Sequence, residues 1–230
     1  MSQTSARAPT RERILDEVER LIAFKGVYGF TLRDVAEPLN VRVPAIYKHY
    51  KDRDDVLVEV SRRFIALLAQ QFARNPALPP AAELRVALDR FVEFKMSHPA
   101  YVRLALVDFA TPDGGMEYVK LAAGGSFKDN FLDGPLASMH NRLRGLLREG
   151  AKAGLFRRVD ASDFYRVVKA VLLIRLAFPD DGLLLRRPSA AEVRATQRWL
   201  WDIASRFLIR YPAGSSASMR RLSPSRKRKR

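Results

Sequence analysis

Thr31-Leu-Arg-Asp-Val-Ala-Glu-Pro-Leu-Asn40-Val-Arg-Val-Pro-Ala-Ile-Tyr-Lys-His-Tyr50 is the stretch on which the reading of this chain turns. Thr31 is placed to cap a helix, and Asp34, three residues on, completes a reciprocal cap and puts an anion at the positive helix end. Val35, Ala36 and Leu39 give that short helix a buried face, and Ala36 is small enough to let a second helix cross closely. Asn40 tolerates the left-handed backbone a sharp turn demands. Val41 plugs the turn, Pro44 suits the first turn of a new helix, and Ile46 with Tyr50 supplies that helix with an inner face at four-residue spacing. Arg42, Val43, Ala45, Tyr47, Lys48 and His49 are left for the outer face. Two short helices joined in this way, the second with small residues at its start and donors along it, form a helix-turn-helix suited to a DNA major groove.

Outward from this motif the periodicity is helical throughout, and no segment shows the sustained alternation of a strand, so the fold expected is all-α. A first helix opens at Thr10, carries Ile14, Leu15, Val18, Leu21 and Ile22 on one face, and is ended by Gly26 and Gly29. Four short helices are expected over roughly 10 to 74, with a three-helix helix-turn-helix DNA-binding domain at 8–68 and its motif at 31–50. Three prolines between Asn75 and Pro80 mark a boundary. A C-terminal helical domain over 75–211 should hold helices near 81 to 97, 99 to 110, 135 to 153 (stopped by Gly154), 160 to 178 and, from the Ser189 to Glu192 capping box, to about Tyr211. Thr111 to Gly115 reads as a loop. Residues 212–230, ending in Arg226-Lys227-Arg228-Lys229-Arg230, read as a disordered basic tail.

Composition narrows the function. The 230 residues carry 41 Lys plus Arg against 25 Asp plus Glu, a net +16, which points to an anionic partner. Residues 1 to 60 hold 10 cations and 10 anions, however, whereas residues 220 to 230 hold 7 cations and no anion. Specificity therefore has to come from spacing in the motif, with the tail adding a salt-sensitive, sequence-independent attraction. The absence of cysteine removes disulfides, thiolate metal sites and a cysteine nucleophile. His98 and His140 are isolated, Gly124-Gly125 lacks the spacing and lysine of a phosphate loop, and Asp180-Asp181 follows a proline; no enzyme constellation, metal site or cofactor is indicated. The longest apolar run, Val167 to Phe178, is broken by Lys169 and Arg175 and is too short to span a bilayer, so no membrane association is expected.

Over residues 10 to 60 the chain resembles the DNA-binding domain of the TetR family of transcriptional regulators. The likeness rests on a first helix ending in glycine, Phe30-Thr31-Leu-Arg-Asp-Val-Ala, Val41-Arg-Val-Pro-Ala-Ile-Tyr-Lys-His-Tyr50, and Lys51-Asp-Arg-Asp-Asp-Val-Leu57. It implies that Thr31 and Arg33 touch the phosphate backbone, that Arg42, Val43, Pro44 and Ala45 lie over base edges, and that Tyr47, Lys48, His49 and Lys51 hold phosphates or neighbouring bases. Asn40 stands where the family usually has glycine, and Arg42 where a serine or threonine cap is common. Losing that cap costs on the order of 1 kcal/mol, while Arg42 adds a donor for a phosphate or a guanine edge. Pro38 is expected to shorten or distort the first motif helix.

The resemblance further implies a C-terminal domain that binds a small molecule and dimerises, and hence a cytoplasmic, nucleoid-associated repressor. As a homodimer it would bind a palindromic double-stranded DNA operator and be released by a small, largely apolar effector. Phe64, Phe94, Tyr101, Phe109 and Met139 are candidates to line a pocket and equally to fill the core. Arg103 and Arg175 each interrupt an apolar run; either could anchor an anionic ligand group, or snorkel to solvent or pair with an acid. Val167, Val168, Val171, Leu172 and Ile174, with Trp199, Leu200, Ile203, Phe207 and Leu208, are the dimer-face candidates. The alternative function is nonspecific binding of nucleic acid or an acidic surface through the tail.

Overall fold

The helices form where apolar positions recur at three- and four-residue steps, and they stop where glycine, asparagine or proline interrupts. A computed structural model describes residues 10–71, 78–109, 136–177 and 186–208. Helix α1 (Thr10–Lys25) buries Ile14, Leu15, Val18, Leu21 and Ile22 and ends at Gly26, whose φ of 81° lies in the left-handed region. The first motif helix, α2 (Leu32–Ala36), carries the expected capping box. Asp34 N–H donates to Thr31 Oγ1 at 3.3 Å and the Asp34 carboxylate accepts from Thr31 N–H at 2.7 Å. Helix α2 ends at Ala36 with Glu37 as its C-cap, directly before Pro38, and the chain turns through Asn40 at φ 53°. Val41 N–H then donates back to the Ala36 carbonyl at 3.1 Å, which closes the turn. The recognition helix α3 (Val43–Tyr47) starts without a side-chain cap at Arg42 but with proline in its first turn. Helix α4 (Arg53–Gln71) leads out of the motif.

Beyond it lie α5 (Pro80–Ser97), α6 (Pro99–Phe109), α7 (Ala137–Lys152), α8 (Ala161–Ala177) and α9 (Ala190–Leu208). These match the expected helices to within a few residues, and the described residues contain helix but no strand. Gly154 adopts φ 73° after α7. Gly150 is required for a different reason: a Cβ there would sit 2.1 Å from the Phe156 ring. The Ser189 to Glu192 capping box forms as expected, with Glu192 accepting from Ser189 N–H at 2.7 Å. The Thr111–Gly115 loop, Gly124-Gly125, Asp180-Asp181, the 212–230 tail and the Phe109 side chain lie outside the described residues.

One hydrophobic core runs from Ile14 to Leu208. Helix α6 packs on α1, α4 touches both, and α5 is held between α4 on one side and α7 and α9 on the other. Two polar ties cross from α6 to α1: Tyr101 Oη donates to Glu19 at 2.7 Å, and Arg103 Nε donates to the Ala23 carbonyl at 2.9 Å. The motif is thus anchored to the helices behind it. No helix among the described residues is long and apolar enough to cross a membrane. Because Asn40 holds the turn with positive φ, Asn40→Ala should lower stability by about 1 kcal/mol, whereas Asn40→Gly should stay within a few tenths of wild type; urea denaturation measures both.

Candidate nucleic-acid interface

Helix α3 is divided cleanly between a buried and an open side. Ile46 and Tyr50 are buried, at 0% and 2% exposure. Tyr50 Oη donates to the Arg11 carbonyl at 3.4 Å, and the Arg11 guanidinium lies 5.3 Å from the ring centroid. Burial, only partly opposed by Arg11, holds the Tyr50 hydroxyl above its usual range. Thr31, Arg33, Arg42, Pro44, Tyr47, Lys48, His49 and Lys51 are exposed; Val43 and Ala45 are half-buried and flank Pro44 on the first turn. Eight of the ten proposed DNA-contacting residues are therefore open to solvent on and beside α2 and α3, with Tyr47 turned outward and Tyr50 inward.

Charge is sorted in the same way. Arg11 pairs with Glu59, Arg20 with Glu17, Lys25 with Asp34 and Arg53 with Asp54. Arg33, Arg42, Lys48 and Lys51 make no ion pair among the described residues. A domain that is neutral in sum thus presents its uncompensated cations around the recognition helix. Thr31 is more committed than its assigned role suggests, since its hydroxyl both accepts from Asp34 N–H and donates to the Asp34 carboxylate at 2.6 Å. The Lys25 ammonium, 2.6 Å from Asp34, together with these Thr31 bonds, holds that carboxyl well below the usual range. This junction pins the start of α2 to the end of α1.

Sequence reading missed one positioning residue. Arg53 Nη2 donates to the Val27 carbonyl, and its guanidinium stacks 4.6 Å over Phe30 and 5.8 Å from the Tyr28 centroid. It thereby locks the α1–α2 loop against the start of α4. The signal was present in Lys51-Asp52-Arg53, where Asp52 and Asp55 cap α4 and leave the arginine facing inward.

The proposed pocket residues do not form a single group. Phe64, Phe94 and Tyr101 stack together, with Phe64 4.4 Å from Tyr101 and 5.5 Å from Phe94. Met139 lies apart, in a cleft with Leu84, Phe91 and Phe164. Arg103 is spent on the Ala23 carbonyl, and Arg175 is exposed, 4.5 Å over the Trp199 ring. Both arginines thus take the snorkelling or bonded course. Among the described residues the buried cations are Lys95 and Lys169, at 2% and 8% exposure, neither of which was among the candidates.

The described features define a helix-turn-helix protein built on an all-helical frame. Residues 14–60 match the model of the bacterial regulatory proteins, tetR family. An HTH-type transcriptional regulator of Staphylococcus aureus (strain MRSA252) is 24% identical over 95 residues, 40% of this chain and 51% of that protein. YobS of Bacillus subtilis (strain 168), also an HTH-type transcriptional regulator, is 25% identical over 99 residues, 43% of this chain and 52% of its own. The chain spans about half the length of the curated relatives it matches. Among solved structures, a tetR family regulatory protein from Rhodococcus RHA1 aligns with a TM-score of 0.66 at 17% identity, covering 88% of this chain and 98% of its own. The ketosteroid transcriptional regulator KstR2 of Mycobacterium tuberculosis gives 0.63 at 15% identity over 91% and 100%. The fatty acid degradation regulator FadR of Bacillus halodurans gives 0.60 at 16% over 86% and 97%. Residues 14–60 thus resemble the DNA-binding domain of the tetR family, and the helical fold resembles that of these solved structures.

The division of α3 has a direct consequence. Tyr47→Ala should leave thermal stability within about 0.5 kcal/mol of wild type, whereas Tyr50→Ala should cost about 3 kcal/mol through the cavity it opens.

Proposed function

We propose that this protein is a transcriptional repressor that binds a palindromic operator as a homodimer and is released by a small, largely apolar effector. The observation that carries the DNA reading is the cluster of exposed cations, Arg33, Arg42, Lys48 and Lys51, which have no ion-pair partner among the described residues and surround a recognition helix anchored by the buried Ile46 and Tyr50. Arg42 to Ala45 lie over base edges, and Thr31, Arg33, Tyr47, Lys48, His49 and Lys51 hold phosphates or adjacent bases. The match of residues 14–60 to the model of the bacterial regulatory proteins, tetR family, supports the same reading, and with it a cytoplasmic, nucleoid-associated location.

Dimerisation draws on α8 and α9. Val168, Leu172, Leu200 and Leu208 are used up in the protomer's own core, but Ile174 stays 55% exposed, and Val171, Trp199, Ile203 and Phe207 are half-buried. Part-exposed apolar side chains on both helices are thus available to a partner across a two-fold axis. A largely apolar effector is supported by the aromatic walls at Phe64, Phe94 and Tyr101 and by two fold neighbours named for ketosteroid and fatty acid degradation control. Its binding changes the separation of the two DNA-reading heads, so that they no longer match successive half-sites.

Selection from a random-sequence DNA pool tests the reading. It should enrich a palindrome with half-sites at helical-turn spacing. Arg42→Ala should weaken binding to that site by about 1–3 kcal/mol and relax preference at one position, while Lys48→Ala should lower the salt slope by about one charge without changing preference. A chain ending at Tyr211 should keep the preference and lose salt dependence. Retention of no sequence at all, or loss of all binding on that truncation, would favour nonspecific attraction through the tail instead.

A further inference from the structure

Lys95 points its ammonium into the core. At 2% exposure, with Nζ 4.3 Å from the Phe64 centroid and 5.7 Å from that of Phe91, it makes no ion pair among the described residues. Burial holds it well below the usual lysine range, and the positive charge of Lys169 pushes in the same direction. Ser61, on α4, is 1% exposed, and its Oγ lacks a hydrogen-bond partner among the described residues. Both groups line one narrow void between α4, α5, α6 and α8, together with Lys169, Phe64, Tyr101 and Tyr165. Aromatic faces offset part of the cost of a buried ammonium, but no anion among the described residues offsets its charge. A fold that needed only packing would place leucine or methionine at residue 95. A buried ammonium at Lys95 and an idle hydroxyl at Ser61 converging inside apolar walls are the complement of an anionic head on an apolar body.

We propose that this void receives the carboxylate of an apolar organic acid, with Lys95 as its counter-ion, Lys169 adding to the field, and Ser61 Oγ donating a hydrogen bond. The assignment rests on the effector reading above and gives that effector a chemical class. The void measures about 20 Å³, enough for a water-sized group, so a flat carboxylate head suits it better than a phosphate. The apolar body then has to part α4 from α6. Since Val56, Leu57 and Val60 of α4 belong to the same hydrophobic core as Ile46 and Tyr50, that movement reaches the DNA-reading helix through packed side chains.

Calorimetry on the full chain with octanoate, 4-phenylbutanoate and naphthalene-2-acetate, each beside its primary amide, tests this. At least one acid should bind tenfold or more tightly than its amide, and octyl phosphate should bind less tightly than octanoate. Acid binding should take up a fraction of a proton, seen as a dependence of the heat on buffer, because a carboxylate beside Lys95 returns it to the charged form. Affinity then falls as pH rises through the lysine's value in the complex. The other titratable groups facing it are Lys169 and Tyr165 from α8 and Tyr101 from α6, with Glu19 behind Tyr101. Lys95→Met should fold with an equal or higher melting temperature and lose both the acid preference and the proton uptake; Lys95→Gln should lose them too, and Ser61→Ala should weaken acid binding several-fold. No acid preferred over its amide, or a preference that survives Lys95→Met and Lys95→Gln, overturns the site; tighter binding of octyl phosphate overturns the carboxylate assignment. DNA binding read in the same samples separates the two readings. An acid that binds with this preference without releasing DNA supports the site and contradicts the regulatory account, while release by neutral compounds alone does the reverse.

Discussion

Burial of Ile46 and Tyr50 beneath the recognition helix decides which way everything else in the N-terminal domain faces. A five-residue helix has too few internal hydrogen bonds to hold itself, so α3 exists because these two side chains are fixed in the core. Each contributes about 1.5–3 kcal/mol in apolar burial. With Ile46 and Tyr50 inside, helical spacing forces Arg42, Tyr47, Lys48 and His49 outward. Turning the helix by half a turn would bury the cations and expose the aromatic face, which is the costlier arrangement by several kcal/mol.

The contacts around this helix serve that orientation. Lys25, Asp34 and Thr31 clamp the start of α2 to the end of α1, and Arg53 ties the preceding loop to α4. From α6, Tyr101 and Arg103 reach α1 by direct hydrogen bonds. Glu19, which accepts from Tyr101, is held above its usual range by burial, a sign that this tie is set well inside the protein. The motif and the helical frame behind it therefore share a continuous core, with α4 belonging to both. A change of packing around Phe64 and Tyr101 has a short path to the recognition helix.

Much of this was legible in the sequence, for identifiable reasons. Local chemistry was readable: the capping boxes at Thr31 and Ser189, the left-handed turn at Asn40, the stops at Gly26 and Gly154, and the inward Tyr50 against the outward Tyr47 are all set by neighbours within a few residues. What depends on distant partners was not. Arg103 and Arg175 interrupt apolar runs and looked like buried cations, yet one reaches a carbonyl on α1 and the other lies over Trp199 in solvent. Lys95 sits among Phe91, Val92, Phe94 and Met96 and could have been singled out on the same argument; its burial depends on α4 and α8 packing across α5, which periodicity along one helix does not reveal. The pocket candidates divide between two cavities for the same reason, Phe64 and Tyr101 lining one and Met139 the other.

The central claim is that a neutral head reads DNA through the spacing of α3, with the basic tail as a general attractant. The chain contains no cysteine, so a single engineered thiol is a unique reporter. Site-directed photocrosslinking from Ala45→Cys, compared with Ser218→Cys in the tail, tests the claim most directly. The account predicts that the residue-45 label attaches to defined bases in each half of a palindromic site, while the residue-218 label scatters along the DNA or is competed away by salt. Attachment from residue 218 to defined bases, with none from residue 45, would contradict it.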